Sequence, residues 1–304
     1  MSMWKECEGL QEELVKMRRE LHQIPEFGLD LPETQKYVTD KLDELGIPYK
    51  CSGTDSSIIA EIKGGQPGKT VALRADMDAL KITEANDVDY KSKHEGLMHA
   101  CGHDNHITML LGAAKVLNAH KAEIKGNVRL LFQTAEELSK GAEIMIKDGA
   151  MDGVDAVFGQ HIGSIINKDI PAGKVIITPG CCMASFDRFV IHVKGTGCHG
   201  STPEKGTDPI TMASHIVINL QEIIAREVSA VKAAVVTIGY FHGGVAYNAI
   251  PSEVEIEGTI RALEEPIRQY LAKRIEEIAK STAATFRGTA EVEMDWGAPP
   301  VINN

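Results

Sequence analysis

Residues 127–160 read NVRLLFQTAEELSKGAEIMIKDGAMDGVDAVFGQ. The apolar run Asn127–Gln133 predicts a strand, Gly141–Lys147 predicts a helix, and Val154–Gln160 predicts another strand. Strands that alternate with helices indicate a sheet covered by helices, so this stretch places the chain in the α/β class.

The residues before this stretch continue the alternation. Apolar residues spaced three and four apart over residues 10–21 predict an amphipathic helix. A second helix is predicted over Pro32–Gly46, with proline at its favoured first position. Short apolar runs at Ser57–Ile62 and Thr70–Arg74 predict strands joined by a glycine-rich turn, and the longer run Ile107–Leu117 predicts a helix.

The elements after residue 185 follow a different order: strand, helix, strand, strand, helix, strand. This is the ferredoxin-like order. The predicted elements are Phe186–Val193, Asp208–Arg226, Ala233–Tyr240, Val254–Arg261, Pro266–Thr282 and Ala290–Trp296. We therefore expect a first domain with a mixed sheet over residues 1–185, a second domain over 186–296, and the start of a return to the first domain over 297–304.

Composition narrows the classes of partner. The 304 residues include 32 lysines and arginines against 43 aspartates and glutamates, a net charge of −11. An acidic chain is a poor match for nucleic acid or an anionic membrane surface, and no apolar run approaches the ~20 residues that span a bilayer. The six cysteines are sparse and irregular and the first residues carry no apolar signal core, so a reduced cytoplasmic protein is expected.

The densest group of polar side chains is Met98-His-Ala-Cys-Gly-His-Asp-Asn-His106. Cys101 and His103 stand two apart, so in loop backbone they can converge on one ion, and Asp104 and His106 can add ligands or orient them. Thiolate together with imidazole suits zinc and similar transition metals. The alternative is a polar helix cap, but a cap needs only one residue of this kind.

Further polar residues follow predicted strands. Glu136 and Glu137 are adjacent carboxylates that can diverge, so that one binds a metal while the other accepts a proton. His161 follows the next strand, and Asp76 and Asp78 follow an earlier one. Each of these groups alone is also typical of an ordinary surface. Because ligands of open α/β sheets collect at the carboxyl ends of strands, the groups together favour a site for two metals.

The second predicted domain holds two glycine-rich polar loops. One, Gly195–Pro203, contains His199, and the other, Gly243–Asn248, ends in an asparagine. Composition alone favours ordinary turn chemistry over a functional role for both loops.

These stretches together resemble the metal-dependent amidohydrolases of the aminoacylase and carboxypeptidase family, above all its hippurate hydrolase and indole-acetyl-amino-acid hydrolase branch. The matching stretches are Arg19–His22 with Pro25-Glu26, Leu73–Leu80, Met98–Asp104, Gln133–Glu137, His161, Asn248–Pro251 and Gly258–Arg261. The resemblance implies hydrolysis of the amide bond of N-acyl amino acids or small peptides. It also implies a ferredoxin-like lid domain, inserted into the catalytic domain, through which two copies form a homodimer.

The resemblance implies a ligand set for two divalent metal ions. Cys101 would bridge the two ions, and the further ligands would be His103, Glu137 and His161. Zinc is the expected metal for thiolate and imidazole ligands, with manganese, cobalt and nickel as alternatives.

The resemblance also implies roles for residues that do not bind metal. Glu136 would be the general base, and Asp76 would orient a ligand. His199 would stabilise the oxyanion of the tetrahedral intermediate across the dimer interface, and Asn248 would hold the substrate carboxylate.

Two alternatives to a complete enzyme stay open. The resemblance implies a last metal-ligand histidine in a segment that follows the lid, and these 304 residues do not include such a segment. That is compatible with a fragment, or with a truncated, catalytically impaired homologue that binds metal and dimerises. The residues alone also allow a hydrolase in which Cys101 is the nucleophile and His103 or His106 the base.

Overall fold

The computed structural model describes residues 3–163 and 169–304, and the chain divides into two compact units, Met1–Lys174 and Val175–Asn304. The helices and strands of the first unit are α1 Met3–Glu8, α2 Gln11–His22, α3 Pro32–Glu44, β1 Tyr49–Cys51, β2 Ile58–Lys63, β3 Gln66–Asp76, α4 His103–Ala119, β4 Lys125–Gln133, α5 Gly141–Lys147 and β5 Ala156–Gly159. Every helix and strand predicted for this part of the chain is present, and the short elements α1 and β1 are additional.

The sheet of the first unit is mixed, as predicted. Its strands lie in the order β1-β2-β4-β3-β5. Strand β3 is parallel to β4 and β5, whereas β2 is antiparallel to β4 and to β1. The strands predicted at Ser57–Ile62 and Thr70–Arg74 follow one another in the chain but do not pair, because β4 lies between them and bonds to both.

The parallel strands bring their carboxyl ends to one edge of the sheet. Asp76 at the end of β3 pairs in register with Gln133 at the end of β4, and Arg74 pairs with Gly159 at the end of β5. The polar residues that follow these strands therefore leave the sheet at the same edge, where α/β sheets bind ligands.

Helix α4 begins at His103, four residues before the predicted Ile107. Gly102, which precedes it, has φ +91°, a left-handed conformation that glycine adopts without steric cost. The apolar pattern misses the first turn because its side chains, among them His103, Asp104 and His106, are polar although they are buried. The densest polar motif of the sequence thus spans a helix start rather than a loop.

Helices α2, α3 and α4 supply the core of the first unit together with the sheet. Leu21, Leu42, Ile107 and Phe132 are fully excluded from solvent there. Full burial of a side chain of this size contributes about 1.5–3 kcal/mol, so this cluster gives the polar edge a rigid base.

The second unit contains β6 Gly180–Met183, β7 Phe186–Lys194, β8 Cys198–His199, α6 Pro209–Glu222, β9 Ala234–Gly243, β10 Ala249–Ile250, β11 Glu253–Ala262, α7 Glu265–Thr285, β12 Thr289–Ala298 and β13 Val301–Asn303. Its main sheet has the order β12-β7-β11-β9, and each neighbouring pair is antiparallel. Helices α6 and α7 pack on this sheet and bury Phe189, Ile191, Met212 and Leu271.

The second unit begins before residue 186, where the sequence analysis places its first element. Strand β6 pairs with β13 inside this unit. Residues 297–304, expected to begin a return to the first domain, end β12 and form β13. Among the described residues, no helix has both the length and the apolar character that a bilayer crossing requires.

Candidate metal centre

The buried His103 lies at the centre of a group of four carboxylates. Its side chain is fully buried, with Nδ1 3.4 Å from Asp78 Oδ1 and Nε2 3.7 Å from Asp76 Oδ2. The same Nε2 lies 3.8 Å from Glu137 Oε1 and 3.9 Å from Glu136 Oε2. We call these five residues the His103 cluster.

The polar atoms of this cluster are incompletely paired. Neither ring nitrogen of His103 has a hydrogen-bond partner among the described residues, and the buried Oε1 of Glu137 has none either. Buried polar atoms without partners are rare in folded proteins, because each costs the free energy of its lost hydration. The cluster therefore has the character of a binding site for a positively charged group.

The electrostatics of the cluster also favour a cation. Burial alone would lower the pKa of His103, but its neighbours Asp78, Cys101 and Asp76, with Asp78 foremost, raise this pKa to about 11. A field of negative charge that holds a proton on a buried imidazole equally favours a divalent ion at the same place.

Cys101 and His161 lie next to the cluster and face each other. Cys101 Sγ is 3.2 Å from His161 Nε2. His161 Nδ1 is 2.5 Å from the carbonyl oxygen of Ile162, which can only accept a hydrogen bond. Nδ1 therefore carries the proton, and burial lowers the pKa of His161, so the lone pair of Nε2 faces the Cys101 sulfur and can bind a metal ion.

Three groups of ligating atoms meet at His103, and within each group the atoms lie within 4.8 Å of one another. The groups are Cys101–His103–His161, His103–Glu136–Glu137 and Asp76–His103–His106. The first two offer thiolate, imidazole and carboxylate donors, a set that suits zinc and similar transition metals. The residues present therefore fit a metal centre.

In the third group, Asp76 and His106 pair with each other. Asp76 Oδ1 is 2.5 Å from His106 Nδ1, and Asp76 Oδ2 accepts a hydrogen bond from Arg74 Nη1 at 2.7 Å. Burial would raise the pKa of Asp76, but the His106 hydrogen bond and the Arg74 charge bring it well below its usual range. Both carboxylate oxygens are thus already engaged.

Glu136 and Glu137 are held by their backbone. The N–H groups of both residues donate to the two carboxylate oxygens of Asp78, at 3.0 and 3.1 Å. Ala135 before them has φ +45°, an unusual left-handed conformation that turns the chain sharply after β4. Burial raises the pKa of Glu136, and the charge of Asp76 adds to the effect, which suits a residue that accepts a proton.

The thiol of Cys101 is poorly placed to act as a nucleophile by itself. The neighbouring His103 would lower its pKa, but burial and the charge of Glu137 outweigh this effect and raise it. An activated cysteine needs a lowered pKa, so this environment favours a metal-ligand role over the Cys101-nucleophile alternative.

The structure also shows supporting residues whose roles sequence reasoning does not assign. Asp78 appears in the sequence only as an acidic residue after a strand, although its spacing of two from Asp76 is a usable signal. His22 belongs to the resemblance without a stated role. Its Nδ1 lies 2.6 Å from Asp104 Oδ2 and its Nε2 3.2 Å from Glu84 Oε1, so it fixes the residue that follows His103.

His199 and Asn248 lie in the second unit, where the structure brings them close together. His199 in β8 pairs in register with Ala249 in β10, and the N–H of Gly200 donates to the carbonyl of Asn248 at 2.8 Å. The exposed His199 ring places Nδ1 2.8 Å from Ser201 Oγ.

Comparisons with known proteins find similar sequences over nearly the whole chain. The pattern of peptidase family M20/M25/M40 matches residues 72–304. The chain is 41% identical over 296 residues to an N-acetyl-L-cysteine deacetylase of Bacillus subtilis, covering 97% of this chain and 70% of that protein. It is 41% identical over 292 residues to an N-acyl-L-amino acid amidohydrolase of Geobacillus stearothermophilus, covering 96% and 78%.

A solved structure is similar over nearly the whole chain. The YXEP protein of Bacillus subtilis, described as a dinuclear metal binding peptidase from the M20 family, superposes with a TM-score of 0.83 at 36% identity. The match covers 98% of this chain and 77% of that one.

Proposed function

The chain belongs to peptidase family M20/M25/M40, and on this premise we propose that it hydrolyses the amide bond of N-acyl amino acids with two divalent metal ions. Relatives at 41% identity carry the names of enzymes that act on such amides. The single observation that carries the proposal is the meeting of two donor groups, Cys101–His103–His161 and His103–Glu136–Glu137, at one buried imidazole. The nitrogens of this imidazole have no hydrogen-bond partner in the part of the chain that the structure describes.

Four side chains would hold the metal ions. They are Cys101, His103, Glu137 and His161. The bound ions would supply positive charge that polarises the acyl carbonyl and makes a water molecule acidic near neutral pH. Zinc is the metal that this donor set suits best, with manganese, cobalt and nickel as alternatives.

Glu136 would move the proton. It takes a proton from the attacking water as the carbon–oxygen bond forms, and it then gives that proton to the nitrogen of the leaving amine as the carbon–nitrogen bond breaks. Its raised pKa supports this role, because a base must hold the proton between the two steps. Asp78 would keep Glu136 and Glu137 apart by binding both of their N–H groups.

The second unit would act as a ferredoxin-like lid that is inserted in the catalytic domain and forms the homodimer. The strand order β12-β7-β11-β9 supports this assignment. Strand β9 lies at the edge of the sheet and exposes Val235, Tyr240 and Phe241, and an exposed edge of this kind favours pairing with a second copy. His199 would stabilise the oxyanion, and Asn248 would bind the substrate carboxylate.

The test is the variant Glu136→Gln, which keeps the shape of the side chain and removes its ability to accept a proton. We expect kcat for N-acetyl amino acids to fall by about 10²–10⁴-fold while zinc stoichiometry, measured by calorimetric titration, stays unchanged. The matched control is Glu143→Gln on α5, whose carboxylate is 71% exposed, and it should retain wild-type turnover. Unchanged turnover in Glu136→Gln would remove the assignment.

A further inference from the structure

We propose that His106 is a positioning residue for His161, acting through the peptide groups of Ile162. His106 fixes the N–H of Ile162, and the carbonyl of Ile162 fixes the ring of His161. The inference rests on the proposed function, in which His161 binds metal. The inference assigns a role to the buried His106, which takes no part in the proposed reaction.

The hydrogen bonds of His106 determine where its proton lies. The ring is buried, and the N–H of Ile162 points at its Nε2 over 2.9 Å. An amide N–H can only donate, so Nε2 must accept with its lone pair. The proton is then on Nδ1 and is donated to Asp76 Oδ1 at 2.5 Å. With both nitrogens engaged, His106 has no lone pair for a metal ion.

Asp76 anchors His106 to the rigid part of the sheet. Its second oxygen accepts from Arg74 Nη1 at 2.7 Å, and Arg74 Nε donates to Gln133 Oε1 at 2.9 Å. Asp76 and Gln133 are also register partners on β3 and β4. The position of the His106 ring is therefore set by two neighbouring strands.

Ile162 links the fixed His106 ring to His161 through hydrogen bonds of its N–H and its carbonyl group. Strand β5 ends at Gly159, so residues 160–163 lie outside the sheet ladder. The Ile162 carbonyl accepts a hydrogen bond from Nδ1–H of His161, and this leaves Nε2 facing Cys101 Sγ at 3.2 Å. The rings of His106 and His161 also meet edge to face, with centroids 4.7 Å apart.

The side chain of Ile162 is confined from a second direction. A Cβ built on Gly102 would lie 2.7 Å from Ile162 Cδ1, so the glycine before α4 leaves room for this isoleucine. Ile162 lies beyond the end of β5, and the contact with Gly102 and the hydrogen bond to His106 fix its position instead of strand pairing. His161 is an exposed residue, and without this support its ring would sample several orientations.

Two substitutions separate the two hydrogen bonds of His106. In His106→Asn the amide nitrogen takes the place of Nδ1, which keeps the bond to Asp76 and removes the acceptor for Ile162. In His106→Gln the amide oxygen reaches the place of Nε2, which keeps the acceptor for Ile162 and removes the donor to Asp76. Zinc affinity of the full chain, stripped with a chelator and titrated by calorimetry, is the main measurement.

We expect His106→Asn to weaken zinc binding about 10–100-fold, because outer partners of metal ligands have effects of this size. His106→Gln keeps the bond to Ile162 and loses only the anchor to Asp76, so its loss should be less than about tenfold. The visible spectrum of the cobalt-loaded variants should keep the Cys101 thiolate band in both. If both variants lose zinc affinity equally, His106 contributes only packing and the inference is wrong. The inference is also wrong if both variants keep the zinc affinity of the wild type.

A measurement on the wild type covers the case in which neither variant folds. Nitrogen NMR of the metal-free chain with ¹⁵N-labelled histidine should show the Nδ1–H form for both His106 and His161. The Nε2–H form at His106 would overturn the inference while the metal site stands. A wild-type chain that binds no zinc would instead overturn the proposed function, and the inference with it.

Discussion

Each unit buries a group of charged side chains, and the two groups differ in how completely the protein pairs them. In the second unit, the buried Asp187 accepts from Arg268 Nε at 2.8 Å, from Arg268 Nη2 at 2.6 Å and from the N–H of Gly297 at 3.0 Å. In the first unit, the equally buried His103 has no hydrogen-bond partner among the described residues, although four carboxylates surround it.

This difference separates a structural ion pair from a binding site. Where the chain supplies every partner, as for Asp187, the buried charges hold elements together. Where it supplies charge of one sign and leaves polar atoms without partners, as around His103, an external ion has to complete the set. Substitutions in the two regions test this contrast, and the largest expected effect on the free energy of unfolding is in the second unit.

Removing one member of the Asp187–Arg268 ion pair should strongly destabilise the fold. Arg268→Leu leaves the Asp187 carboxylate buried without its partner, and we expect it to lower the free energy of unfolding by about 3–5 kcal/mol in urea denaturation. The double variant Asp187→Leu/Arg268→Leu removes both charges and should recover much of this loss. A double variant as unstable as the single one would show that the ion pair itself is not the cause.

The His103 cluster should show the opposite behaviour, gaining stability from an added ion. Free zinc at about a hundred times its Kd should stabilise the chain by about 2.7 kcal/mol, measured by scanning calorimetry. His103→Ala should abolish this gain, whereas Arg268→Leu should keep it. If His103→Ala shows the same gain, zinc binds elsewhere and the contrast between the two regions fails.

A substitution at Ala135 should change the free energy of unfolding by a smaller amount. Ala135→Gly relieves a left-handed conformation worth about 1–2 kcal/mol but gives up a buried methyl group and adds freedom to the unfolded chain. We expect a net change within about 0.5 kcal/mol. Ala279→Gly, equally buried but inside α7, should cost about 1–2 kcal/mol, because nothing there offsets the loss. Equal losses would mean that the turn before Glu136 is unstrained.

The smallest effect on stability is expected at His120, the residue that follows the last turn of α4. Hydrogen bonds to Glu6 and then Glu123 raise the pKa of His120. The stabilising contribution of this contact is fully present below the ordinary histidine pKa and is lost as pH rises through the higher pKa of the folded state. Thermal unfolding of the wild type and of His120→Gln should therefore differ at about pH 5 and converge by about pH 9. A difference that persists at high pH would exclude this charge as its source.

Much of the site is predictable from its motifs. Cys101, His103, Glu136, Glu137 and His161 follow from residue type, from spacing and from their places after strands, and the structure brings them together. The supporting roles of Asp78 and His106 are not predictable in this way. Asp78 binds backbone groups of Glu136 and Glu137 from 58 and 59 residues away, and His106 binds the backbone of Ile162 from 56 residues away.

The sequence alone was sufficient for the longer helices and strands, since periodic apolar residues and turn residues act over a few positions, and for the donor types that suit a metal. It did not predict the short elements α1, β1, β6, β8, β10 and β13. The folded chain was needed for the insertion of β4 between β2 and β3, for the early start of α4 at His103, and for the partners of each buried polar atom. These features depend on how segments far apart in the chain pack together. The partner of a buried hydrogen bond and the neighbour of a strand depend on the shape and charge of the whole core. A local sequence pattern contains no information about either.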